Sequence, residues 1–124
     1  MSDKILIVED DRDIRKNVQQ LLSSEGYSVQ VAENGQEALS LLQTSPELPC
    51  VILLDLMMPV MDGFQFRVEQ KKIPKICEIP VVIMTADGHT EEKKVRTGAA
   101  AALKKPADVD DILNAVQRIC PHVH

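Results

Sequence analysis

Three short apolar runs, residues 5–8, 50–54 and 81–84, fix most of what this chain can fold into. Each is strand-sized and lacks the polar alternation of a half-exposed strand. Each also stops abruptly at a polar side chain: Glu9-Asp10-Asp11, Asp55 and Thr85 respectively. A strand that is apolar on both faces must be covered on both faces, as in a parallel sheet packed between helices. The intervening segments supply those helices. Ile14, Val18, Leu21 and Leu22 share one helical face, stopped at Gly26 by a left-handed C-terminal residue. Asn34 with Glu37 predicts a capped helix that carries Ala38, Leu41 and Leu42 and ends before Ser45-Pro46. A third helix is predicted from about residue 64 to 72. A fourth spans Thr90–Thr97, with Val95 its one large apolar residue and Gly98 its stop. Asp108, with Asp111 three residues on, caps a last amphipathic helix bearing Ile112, Leu113, Val116 and Ile119. Residues 27–32 and 100–104 complete the strands as weaker runs. The order is β-α repeated, an α/β fold of the doubly wound parallel class with right-handed crossovers.

Composition narrows the function. A chain of 124 residues and 13.8 kDa is one domain's worth of polypeptide. With 44% apolar and 27% charged residues it is expected to be folded. No apolar run approaches the roughly 20 residues of a membrane span, and Met-Ser-Asp-Lys does not open a signal peptide. The expected location is cytoplasmic. Aromatics total 2%, with no Trp, so stacking platforms for single-stranded nucleic acid are lacking. Residues 17–66 carry six carboxylates and no Lys or Arg, whereas residues 67–105 carry nine bases against five acids. The first half therefore holds an acidic pocket, the basic stretch offers a partner face, and direct DNA binding is disfavoured. Cys50, Cys77 and Cys120 are odd in number, widely spaced and without CxxC spacing. They read as small buried hydrophobes and not as a disulfide framework.

In open α/β sheets, ligands bind outside the carboxyl ends of the strands, where strand order reverses. That rule selects Glu9, Asp10, Asp11, Asp55, Thr85 and Lys105 as groups meeting at one edge. Several carboxylates in one cleft repel each other unless a cation or proton relieves them. An all-oxygen set with room for waters suits Mg²⁺. Thr85 and Lys105 add a hydroxyl and a cation able to hold phosphoryl oxygens, and a carboxylate among them is a candidate nucleophile that would form an acyl phosphate.

Four motifs carry a resemblance: Ile5-Leu6-Ile7-Val8-Glu9-Asp10-Asp11 with Arg15, Leu54-Asp55-Leu56-Met57-Met58-Pro59 with Met61-Asp62-Gly63, Thr85-Ala86, and Lys105-Pro106. Together they resemble the receiver domain of bacterial two-component response regulators, from about Lys4 to Ile119. The resemblance implies a flavodoxin-like (βα)5 sheet in the order 2-1-3-4-5, and residues 1–124 as a single receiver domain with no output domain. It implies that Asp55 is phosphorylated in a Mg²⁺-dependent reaction, with a histidine kinase or histidine phosphotransfer protein as donor. Asp10 then matches the direct metal ligand, Glu9 the acid that holds metal-bound water, and Met57 the residue whose backbone carbonyl completes the metal site. Thr85 matches the hydroxyl residue and Lys105 the lysine that pairs with phosphoryl oxygens; Asp11 reads as solvated surface or helix N-terminal charge and not as a ligand. Such a domain phosphorylates and dephosphorylates itself without being an enzyme toward a separate substrate. It signals through protein contacts, here expected on the face of the fourth helix, fifth strand and fifth helix. The expected state is a monomer or a weak, phosphorylation-dependent dimer.

Two positions depart from the family pattern. Ala102 stands where an aromatic usually reports phosphorylation, and Ala107 where Phe commonly follows the Lys-Pro pair. The fourth helix and fifth strand, poor in large apolar residues, are expected to be the least firmly held corner. The alternatives are a Mg²⁺-dependent phosphatase or phosphotransferase using an aspartyl phosphate, and a receiver-like interaction module that is never phosphorylated. The first commonly has a second acid two residues after its nucleophile, where this chain has Met57. Neither GxxxxGK[ST] nor GxGxxG occurs, so nucleotide binding is poorly supported. His89, His122 and His124 read as plain surface histidines. Lys71, Lys72, Lys75, Lys93, Lys94 and Arg96 read as solvated helix surface, and Met57, Met58 and Met61 as loop and packing residues.

Overall fold

The computed structural model describes residues 3–121. Five parallel strands, β1 (Lys4–Val8), β2 (Ser28–Ala32), β3 (Val51–Asp55), β4 (Val81–Thr85) and β5 (Ala101–Lys104), form one sheet in the order β2-β1-β3-β4-β5. Five helices alternate with them: α1 (Arg12–Ser24), α2 (Gly35–Thr44), α3 (Gly63–Lys71), α4 (Thr90–Thr97) and α5 (Val109–Ile119). The expected order 2-1-3-4-5 and the predicted elements are observed, with ends displaced by a residue or so. His122 and His124 lie outside the described residues. No described helix is long and apolar enough to cross a membrane.

The period-2 geometry of strands explains the solid apolar runs. Leu6, Val8, Ile52, Leu54 and Ile83 point to one face and pack with Ala38, Leu39 and Leu42 of α2 and Phe66 of α3. Ile5, Ile7, Leu53, Val82 and Met84 point to the other, against Val18 and Leu22 of α1 and Ile112 and Val116 of α5. Both faces are buried, so both sets must be apolar.

Caps set where the helices begin. The Asp11 carboxylate accepts from Asp13 N and Ile14 N, Asn34 from Glu37 N, and Asp62 from Gln65 N. Each such bond is worth about 1 kcal/mol. Asp108 occupies the N-cap position of α5, as the sequence implies, but its side chain caps no helix N–H. Helix α4 buries only Thr97, and Val95 is 79% exposed, so the one large apolar residue of this helix contributes nothing to the core.

The cysteine expectation is corrected. Cys50 and Cys120 form a disulfide across a sequence separation of 70, with Cα atoms 5.9 Å apart; Cys77 is free and half-buried. Residue 50 immediately precedes β3 and residue 120 immediately follows α5. The close packing of α5 on the sheet brings these ends together, a proximity that sequence spacing does not reveal.

Candidate functional site at the carboxyl edge of the sheet

Strand register assembles the site. Val8 lies level with Leu54, so Glu9, one step on, comes alongside Asp55. Thr85 lies level with Lys104, and Lys105 N donates to Thr85 O at 2.8 Å, which carries the Lys105 side chain over the same edge. The selected residues thus converge although they are distant in sequence.

Glu9 is fully buried and Asp55 nearly so, while Asp10 is exposed. A carboxylate oxygen from each lies within 4.8 Å of the others. Lys105 Nζ bridges two of the acids, 2.7 Å from Glu9 Oε1 and 3.2 Å from Asp55 Oδ2. Backbone groups hold the opposite oxygens: Asp11 N donates to Glu9 Oε2 and Met57 N to Asp55 Oδ1, each at 3.2 Å. Among the described residues Glu9 Oε1 is buried with the Lys105 ammonium, 2.7 Å away, as its compensating group and no other hydrogen-bond donor. Burial first, and the neighbouring Asp55 second, push the Glu9 carboxyl up to about 7. Burial pulls the Lys105 ammonium down, but the two carboxylates outweigh it, and the net shift is upward. The cleft is a negatively charged cluster held together by one ammonium. Three oxygen donors, one of them a buried oxygen compensated by the Lys105 ammonium alone, are the chemistry of a hard divalent cation site of the Mg²⁺ kind.

The remaining expected residues are placed as follows. Asp11 is the N-cap of α1, the second of its two expected readings. Met57 enters through its N–H and exposes its side chain, while Met58 is buried. Arg15 Nη1 donates to Glu9 O at 2.9 Å, clamping the backbone of the acidic doublet. Thr85 is buried at the end of β4, and its hydroxyl is engaged away from the acids: Asp87 N and Lys93 Nζ both donate to Oγ1 at 3.2 Å. Lys93 is therefore not the solvated helix lysine the sequence suggests. The path of the loop between Thr85 and α4 brings it back to the site, and that path is not encoded in spacing. His89 precedes α4 without capping it and lies on the surface.

Comparison with known proteins agrees with this architecture. The response regulator receiver domain family matches residues 5–117. Sporulation initiation phosphotransferase F of Bacillus subtilis is 37% identical over 123 residues, covering 98% of this chain and 96% of that protein. Response regulator Rre1 of Synechocystis is 35% identical over 118 residues, and there the chain spans 50% of its relative's length. The crystal structure of chemotaxis protein CheY4 of Vibrio cholerae superposes with a TM-score of 0.85 at 32% identity, covering 96% of this chain and 99% of that one. Sheet order, acidic cluster and family match all point one way: the chain belongs to the response regulator receiver domain family.

Proposed function

We propose that Asp55 accepts a phosphoryl group from a phosphohistidine of a histidine kinase or phosphotransfer protein. A carboxylate oxygen of Asp55 attacks phosphorus, the P–N bond to the donor imidazole breaks, and the product is an aspartyl phosphate. The observation that carries this reading is the placement of Asp55: buried, with one oxygen on Met57 N, the other on Lys105, and the oxygens of Glu9 and Asp10 within 4.8 Å. Glu9, Asp10, Asp55 and the Met57 backbone carbonyl would hold Mg²⁺. That cation would neutralise charge on the phosphoryl oxygens and the acids. Lys105, already at Asp55, supplies the protein's own positive charge to the same oxygens, and Thr85 supplies a hydroxyl donor. The reaction is self-directed, with no separate substrate turned over.

Two surfaces suit the two partners. An apolar hollow of about 250 Å³ beside Lys105, lined by Ile14, Val18, Leu21 and Pro106, is open to a donor protein approaching the site. A groove of about 330 Å³ between α4, β5 and α5, floored by Ala101 and Ala102, suits an output partner. The small side chain of Ala102 leaves that groove open.

Acetyl phosphate with Mg²⁺, followed by intact mass, tests the proposal. The parent gains one phosphoryl group that hydroxylamine removes, and Asp55→Asn gains none while melting as a folded protein. A hydroxylamine-sensitive adduct on Asp55→Asn would place the chemistry elsewhere.

A further inference from the structure

Lys93 stands apart from the other lysines of the basic stretch. Its side chain is only 18% exposed, and its ammonium reaches back from the first turn of α4 to the end of β4. There Nζ donates to Thr85 Oγ1 at 3.2 Å and pairs with Asp87 Oδ2 at 3.1 Å. Asp87 is itself fixed, since its Oδ1 accepts from His89 N at 3.0 Å and its own N–H donates to Thr85 Oγ1. The bond from His89 N and the ammonium of Lys93 hold the Asp87 carboxyl below the usual carboxylate range, so the anchor is charged.

A threonine hydroxyl has two lone pairs and one proton. Here both lone pairs are used, one by Asp87 N and one by Lys93. The orientation of the hydroxyl is thereby set jointly by the loop residue Asp87 and by Lys93 of α4. Among the described residues this helix has few other ties to the core: the His89 side chain makes no capping bond, and Val95, in the second turn, is exposed. Its far end is secured separately, by Arg67, which donates to Thr97 O and Gly98 O at 2.9 and 3.1 Å.

We propose that Lys93 is a positioning residue that latches Thr85 to α4 in the unphosphorylated protein. This rests on the phosphoacceptor reading of Asp55. The two accepted bonds leave the hydroxyl proton one direction, so aiming it at a phosphoryl oxygen on Asp55 requires Oγ1 to turn away from Lys93, and the Lys93–Thr85 bond is broken. Lys93 keeps Asp87, and the first turn of α4 is released from β4 while Arg67 still holds the last. Helix α4 thus senses Asp55 through a lysine, with no ring required at Ala102. The latch also opposes phosphorylation, because its bond must be given up each time.

Removing the lysine should therefore tighten binding of an acyl-phosphate mimic. In titrations of the full chain with beryllofluoride and Mg²⁺, Lys93→Met should bind about threefold or more tighter than the parent. Lys93→Arg, which restores the cation and donor, should return toward the parent. In a Thr85→Ala background, Lys93→Met should change nothing. Amide exchange across Thr90–Thr97 should rise on beryllofluoride in the parent, and should be already raised and unresponsive in Lys93→Met. Weaker binding by Lys93→Met would make the lysine a direct phosphoryl partner and overturn the latch. A gain that persists with Thr85→Ala would also overturn it, by showing an effect not carried through Thr85. A parent that binds beryllofluoride as tightly as Lys93→Met removes the latch alone. A parent that binds none removes the phosphoacceptor reading and the latch together.

Discussion

Glu9 is the residue on which the metal-free site depends most. It is fully buried beside Asp55, with Lys105 and Asp11 N as compensation, and its carboxyl is raised from 4.5 to about 7. An acid whose folded pKa lies above its unfolded value contributes stability that is complete below the unfolded value and is lost as pH rises through the folded one. The window here runs from about 4.5 to about 7. The loss belongs to the Glu9–Asp55–Lys105 cluster as a whole, because the three charges titrate against one another. Lys105 is shifted upward from 10.5, so its own contribution is unchanged across this window. Urea denaturation between pH 4.5 and 8 without divalent cation should show the midpoint falling, and Glu9→Gln should flatten that fall. An equal slope in Glu9→Gln would assign the pH dependence to another group. At neutral pH, Mg²⁺ should raise the melting temperature in proportion to the logarithm of its concentration, and Asp10→Ala should abolish the rise.

At the scale of elements, the junction between β3 and α3 fixes where Asp55 points. Gly63 begins α3, and its N–H donates to Leu56 O at 3.0 Å. A Cβ there would lie 2.8 Å from Leu56 Cα and 2.9 Å from Asp55 O. These are backbone atoms that no side-chain rotation can clear. Alanine's better helix propensity is worth at most about 1 kcal/mol and counts for less in a first turn, whereas overpacking of this kind costs about 1–3 kcal/mol. Gly63→Ala should lower stability by that order and slow labelling of Asp55 by acetyl phosphate, because the shift falls on the nucleophile's own backbone. A variant that is destabilised but labels at the parent rate would separate the junction from the chemistry. Helix α4 contrasts with α3. Its hold on the core is one threonine, and the guanidinium of Arg67, itself buried, satisfies the last carbonyls where a positive charge also favours the helix dipole. The corner expected to be least firmly held is therefore anchored by polar contacts at both ends.

Across the whole molecule, the disulfide from Cys50 to Cys120 joins the amino-terminal edge of the sheet to the last helix. This is the edge opposite the acidic cluster, so the crosslink acts on the fold and leaves the site's groups untouched. Tyr27 reinforces the same region, its hydroxyl donating to Cys120 O at 2.8 Å. Closing a loop with a sequence separation of 70 restricts the unfolded chain by about 4 kcal/mol in the chain-entropy limit, and about 2–4 kcal/mol is typical. Oxidised protein should accordingly unfold at higher urea than the same protein in reductant, and Cys50→Ser should match the reduced form under both conditions. Labelling of Asp55 should be equal in the two states. A midpoint indifferent to reductant would show that the crosslink does not constrain the unfolded chain.

The strands, the helices and the edge where they end were legible in the amino-acid pattern alone. Apolar runs on both strand faces demand two covering layers, and a parallel sheet sends every polar strand end to one side. Glu9, Asp10, Asp55 and Thr85 were legible for that reason, since each follows or ends a run whose burial is forced, whereas Lys105 follows a weaker, half-buried run. The register, the direction of individual side chains and the loop paths were decided only in three dimensions. The 2.7 Å approach of Lys105 to Glu9 follows from strand register, and the turn of Lys93 onto Thr85 from the course of one loop. The meeting of Cys50 with Cys120 depends on how a helix packs across the sheet. Local pattern encodes what must be buried; contacts between segments distant in the chain arise from packing all of those burials at once.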